Sequence, residues 1–203
     1  MRTKRWIRCR GVSVLVALSL CVVAPRMLAG QGAAPGKEQA DDAAGFKEFS
    51  ARVQAYVKMQ KTVESGLPAL KPTDLPEMIT AHQEALARKI QEARPHAKSG
   101  DIFTSAAREA FRHASRAVLE GPRAAASRAY MQPGAPDPRM RLEVNGIYPD
   151  AEPVTTMPPE LLAAYPTLPA EVAYRVVGRT LILLDLKSRL IVDVARLILP
   201  PPS

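Results

Sequence analysis

The chain has 203 residues, with 28 lysines and arginines against 20 aspartates and glutamates, a formal charge of +8. Six of the basic residues (Arg2, Lys4, Arg5, Arg8, Arg10, Arg26) and none of the acids lie within residues 1–30, so the rest is about +2 and lacks the concentrated positive patch that nucleic-acid binding needs. Both cysteines, Cys9 and Cys21, fall in the same stretch, which excludes a disulfide, a thiolate nucleophile and a cysteine-ligated metal from the remainder.

Residues 1–30 read as a secretory signal peptide. A basic start (Met1 to Arg10) precedes an uncharged apolar run from Gly11 to Ala24, which Pro25 and Arg26 break. Small residues follow, and cleavage is expected near Ala29 or Gly30. The apolar run is shorter than the roughly 20 residues that a membrane-crossing helix requires. A lipid-attachment box at Cys21 is the competing reading, but Leu20 stands where a small residue is wanted. Export to the periplasm or the extracellular space is the expectation. The only tryptophan, Trp6, belongs to this segment, so a core that is aliphatic and alanine-rich with few aromatics is predicted for the rest.

Residues 31–42 are small and polar and read as a flexible lead-in to a helical region over 43–131. Phe46, Phe49, Val53, Tyr56, Val57 and Val63 recur at helical spacing and predict a first helix over 43–64, ended by Gly66, Pro68 and Pro72. Asp74 with Glu77 three residues on predicts a capping box. The second helix then carries Ile79, His82, Leu86, Ile90 and Ala93 on one stripe. A third helix is expected from about Thr104 to Glu120, with Ala107, Phe111, Ala114 and Val118 on one side, and a short fourth from Pro122 to Met131.

Residues 132–170 form a proline-rich connector with an Asn145-Gly146 turn and a short helix in PPELLAAY. The β-branched and leucine-rich runs Val172–Val177, Thr180–Leu184 and Leu190–Val194 then predict three short strands, so that residues 171–203 make an antiparallel meander. The fold class is therefore α+β, three to four helices followed by a small C-terminal sheet that packs its apolar face on them.

Catalytic and metal-binding patterns are sparse. The three histidines, His82, His96 and His113, do not form the His-Glu-x-x-His pattern that puts two imidazoles on one helix face. Tertiary folding could still join His82 and His113 with Glu84 or Glu109 at a transition metal, although His82 on an apolar stripe suits a core histidine better. No serine elbow and no phosphate-cradling glycine loop is present, and no cofactor is expected. Asp185 and Asp193 on neighbouring strands, with Arg175 and Arg179 nearby, read as a charged pair on the sheet surface. Arg108, Arg112, Arg116, Arg123 and Arg128 either contact an anionic membrane surface or acidic partner, or form a solvated face.

GDIFTSAAREAFR (100–112) and YRVVGRTLILLDLKSRLIVDV (174–194) resemble a family of exported bacterial proteins. In that family a GDIF-plus-helix segment and a proline-rich stretch lead to a YR-x-VGR-x-LIL-x-D tail and LIVD. The resemblance implies no activity. The tail alone is also similar to the terminal hairpin of periplasmic nickel and cobalt homeostasis proteins, and no metal-binding residue carries over.

Two functional expectations follow. One is a non-enzymatic envelope protein, a partner-binding or structural module or a sensor of envelope conditions, whose sheet edge can pair with a partner strand, so that a charge introduced at Val176 or Ile191 is expected to abolish capture. The other is a periplasmic binder of a small ligand or transition metal that uses His82 and His113.

Overall fold

A computed structural model describes residues 36–72, 74–131, 136–149, 151–153 and 155–201. The expected signal segment, its cleavage points at Ala29 and Gly30, and residues 31–35 of the lead-in lie outside the described residues.

Among these residues the chain is α+β. Five helices, α1 (Lys37–Ser65), α2 (Pro76–Ala93), α3 (Ser105–Leu119), α4 (Ala124–Met131) and α5 (Pro159–Ala164), precede strands β1 (Val172–Val177), β2 (Thr180–Asp185) and β3 (Ile191–Ala195). The first helix takes in the second half of the expected lead-in. Lys, Glu, Gln and Ala are good helix formers, the Gln39 side chain accepts from Gly36 N at the helix start (3.2 Å), and Asp42 reaches His113 on α3 at 2.9 Å. Local propensity and a tertiary contact override a composition that reads as flexible.

The expected Asp74 cap does not form. Leu75 occupies the N-cap position of α2 with no side-chain bond, and Pro76 opens the helix, where its missing N–H costs nothing. Thr104 caps α3, accepting from Ala107 N at 3.3 Å.

α3 runs antiparallel to the first half of α1, and α2 packs beside the second half. Close approach to α3 requires a glycine: a Cβ at Gly45 would lie 2.7 Å from the Ala106 carbonyl oxygen. The aromatic residues, few as they are, gather in one place. All four phenylalanines, Phe46, Phe49, Phe103 and Phe111, join Tyr165 and Tyr174 in edge-to-face and stacked pairs with centroids 4.7–6.0 Å apart. The centre of the core is therefore aromatic, contrary to the aliphatic expectation, and such pairs add to plain burial.

The sheet order is β1-β2-β3, antiparallel throughout. A two-residue turn joins β1 and β2, with Gly178 at φ 58° in the left-handed region that a primed hairpin turn asks of its first central residue. One face of the sheet (Tyr174, Val176, Leu181, Leu183, Val192) packs on the helices. The other (Ile182, Leu184, Ile191, Val194) is covered by Leu142 and Tyr148 of the connector. Both faces are dry, so β2 and β3 read as continuous apolar runs rather than alternating ones.

That double burial overturns the surface reading of Asp185 and Asp193, both of which are fully buried. Pairing slips by one residue between Leu183↔Asp193 and Leu184↔Ile191, a bulge that turns both Val192 and Asp193 toward the helices. Asp193 there accepts backbone N–H bonds from Gly100 (3.0 Å), Ile102 (2.7 Å), Phe103 (2.7 Å) and its own neighbour Val194 (2.7 Å). Asp185 accepts from the amides of Lys187 (2.9 Å) and Ser188 (2.8 Å) in the β2–β3 turn, and from the Tyr56 hydroxyl. Each carboxylate is satisfied by donors from the chain, which is what makes its burial tolerable.

Candidate functional site

A three-stranded sheet has two edges, and only one remains available here. Asn145 N and Tyr148 N donate to Ile191 O (2.9 Å) and Arg189 O (2.8 Å), and Ile191 N donates to Gly146 O at 2.8 Å. Arg94 and Ser99 cover the carbonyls of Val192 (3.3 Å) and Val194 (2.7 Å). The β3 edge is thus closed by the chain itself. Ile191, expected at a binding edge, spends both its backbone groups internally, and its side chain is buried, as is that of Val176.

The β1 edge is different. The two-residue hairpin directs the backbone of Ala173, Arg175 and Val177 toward β2, and that of Val172, Tyr174 and Val176 outward. Side chains and a turn meet some of these outward groups. Thr155 Oγ1 donates to Val176 O (3.0 Å), Arg175 Nη1 to Tyr174 O (2.8 Å), and Val172 N donates to Pro169 O (3.2 Å). Beside this edge lies a cavity of about 560 Å³, walled by Val172, Ala173, Tyr174 and Arg175 on one side. Thr155, Met157, Leu162 and Leu168 of the connector and α5 wall the other. Pro158 and Pro166 bracket α5, and the Tyr174 hydroxyl donates to Pro166 O (2.9 Å), which ties the far wall to the strand.

Among the described residues the wall is apolar and hydroxyl-bearing, with no imidazole and no carboxylate. Its one charge is Arg175. Burial lowers the Arg175 pKa from its ordinary value, partly opposed by the Tyr148 phenol, and its Nε is buried with no hydrogen-bond partner. Burial, with Tyr165 adding to it, pushes the Tyr174 phenol well up, so Tyr174 is a neutral hydroxyl. The arrangement is suited to holding a ligand by backbone bonds, apolar contact and one positive charge. It has no pair of groups fit for proton transfer.

Comparison with family models, with curated proteins and with solved structures returns no match to this chain. The site must therefore be read from its own geometry.

The structure does not bring the two candidate metal ligands together. His113 meets Asp42 near the start of α1, whereas His82 lines a separate cavity beside Glu64 near its end. At ~1.5 Å per residue these two points of α1 are roughly 33 Å apart. His113 also has both ring nitrogens engaged: Nδ1 lies 2.9 Å from Asp42 and 3.4 Å from Glu38, and Nε2 lies 3.1 Å from Glu109. Glu84 faces Arg88 at 3.8 Å. Among the described residues no group of three or more His, Cys, Asp or Glu side chains could hold a metal ion.

The arginine-rich stretch is divided rather than continuous, since α3 ends at Leu119 and α4 begins at Ala124. Arg112 pairs with Glu109, and Arg128 donates to Leu119 O at 3.1 Å. The apolar side of α3, with Ala107, Ala110, Phe111 and Leu119, is buried in the core. No helix among the described residues is long and apolar enough to cross a membrane.

The cavity went unread because its walls come from separate pieces of the connector that carry no periodic pattern. One signal was available: Arg175 breaks an otherwise apolar strand, in a position that turns out to lie beside an edge.

Proposed function

We propose that the chain is an exported, non-enzymatic binding module that takes up an extended segment of a partner protein along the edge of β1. One observation carries this reading: with β3 closed by the connector, β1 is the remaining edge, and it borders a cavity of about 560 Å³. Strand addition uses such a place, with main-chain bonds supplying affinity and pockets for alternate side chains supplying selectivity.

A selection of linear peptides against the purified protein, followed by amide exchange, tests it. The bound peptides should slow exchange at Tyr174 and Val176 and lose affinity when Leu162, exposed on the cavity wall, becomes arginine. Protection confined to other elements would refute the edge as the site. Export has its own test: the protein recovered from cells should begin at Gly30 or Gln31.

A second reading rests on the cavity volume, which falls in the range of small-ligand sites. Its occupant would protect the cavity walls without protecting the outward amides of β1.

A further inference from the structure

Resting on strand capture at β1, we infer that the captured segment is acidic: an extended peptide that places an aspartate or glutamate side chain on Arg175, flanked by apolar residues. The reasoning starts from charge. The described residues place no carboxylate within ion-pair reach of Arg175, and no other charged side chain lines the cavity. Among the described residues only the Nη1 group has a hydrogen-bond partner, and that partner is the Tyr174 carbonyl on the strand's own outer edge. A half-buried guanidinium in this condition lacks a counter-ion and leaves its buried Nε without an acceptor, and a carboxylate supplies both at once, often in a two-bond fork.

Register then fixes which ligand residue must be acidic. Val172, Tyr174 and Val176 point to the helices, so Ala173 and Arg175 point to the opposite face. A strand added to β1 presents the residue opposite Arg175 on that same face and its two neighbours on the other. On the helix-facing side stand Met157 and Leu168, which pack with the main core and line the cavity. The ligand pattern is therefore apolar, acidic, apolar. Capture also resolves the present role of Nη1. An incoming backbone N–H takes the Tyr174 carbonyl, and the displaced guanidinium turns to the ligand carboxylate. Before capture, Arg175 shields the edge from indiscriminate pairing.

The experiment uses blocked seven-residue peptides of alternating valine and threonine whose central threonine is replaced by glutamate, glutamine or lysine. Binding is measured by amide exchange and by titration at low and moderate salt. The glutamate peptide is expected to bind at least about tenfold tighter than the glutamine peptide, with the difference shrinking as salt rises. Arg175→Gln should bring the glutamate and glutamine peptides to equal affinity while leaving the glutamine peptide's binding in place. Arg175→Lys should keep part of the preference. Equal binding of all three peptides to the unaltered protein, with β1 amides protected, would overturn the acidic preference and leave strand capture standing. Absence of β1 protection with every peptide would overturn both. If Arg175→Gln causes self-association without changing the peptide preference, Arg175 is only a guard on the edge and the inference is wrong.

Discussion

The Tyr56 hydroxyl donates to the buried carboxylate of Asp185 at 2.7 Å, joining α1 to the end of β2 across 129 positions of sequence. Arg94 lies over the same ring, 5.1 Å from its centre, and also reaches the Val192 carbonyl. Tyr56→Phe removes the hydroxyl and keeps the ring beneath Arg94. The loss should be about 1.5–3 kcal/mol, the usual worth of a hydrogen bond to a charged group. The midpoint of thermal unfolding should fall by roughly 3–12 °C. A double-mutant cycle with Asp185→Asn checks the cause, since an uncoupled pair would place the loss elsewhere.

Asp193→Ala should be more damaging. It leaves the amides of Gly100, Ile102, Phe103 and Val194 without their acceptor, three of them in a loop whose further bond to β3 is Ser99 Oγ to Val194 O. Each buried orphan costs on the order of 1–3 kcal/mol, so a total loss of at least about 3 kcal/mol is expected by denaturant unfolding. A variant within about 0.5 kcal/mol of the parent would show that the loop holds itself.

Gly45→Ala sets two effects against each other. Alanine favours a helix over glycine by about 1 kcal/mol. The new Cβ, however, would stand 2.7 Å from the Ala106 carbonyl oxygen and 2.9 Å from its carbon, and backbone cannot swing aside as a side chain can. Overpacking should win, with a net loss on the order of 1–2 kcal/mol. At exposed Ala43 the reverse change, Ala43→Gly, should also destabilise, by about 1 kcal/mol, from propensity alone. A stabilised Gly45→Ala would mean that α1 and α3 stand further apart.

Alkaline pH should unfold the protein through its tyrosines. Burial raises the pKa of Tyr56, Tyr165 and Tyr174, with Asp185 adding to the effect at Tyr56, and Tyr165 is pushed up to about 12 despite its bond to Ser115. A raised folded-state pKa gives stability that is complete below the unfolded value of about 10 and is lost as pH climbs through the folded value. Above pH ~10 each of these tyrosines subtracts up to about 1.4 kcal/mol per pH unit. Phenolate absorbance and loss of helix signal should therefore rise together. Smooth ionisation of all the tyrosines in a still-folded chain would contradict this.

Helices and strands were legible wherever apolar period and punctuation agreed: β1 is found at its predicted bounds, and α3 lies within one residue of its expected bounds at each end. The errors share a physical origin. Asp185 and Asp193 look like surface charges only if one sheet face is wet, and the face in question is covered by Leu142 and Tyr148 from a connector with little pattern of its own. Asp193 is further misplaced by a bulge at Val192, which no alternation rule anticipates. His82 and His113 both sit on helices that flank α1, but strip composition does not say which end of α1 each helix attends. The GDIF and LIVD segments were visible as letters. Their meeting, Asp193 against the amides of Gly100, Ile102 and Phe103, was not.

The clasp on Asp193 also sets an order of events during synthesis. The loop between α2 and α3 waits on a residue about 90 positions downstream, and the connector that covers the second sheet face waits on Ile191. While the ribosome is still making the connector, the helices have neither their sheet nor the anchor for their central loop. Contacts of such long range form slowly, because loop closure comes before its reward. The loop between α2 and α3 therefore reaches its anchored form only once β3 has emerged.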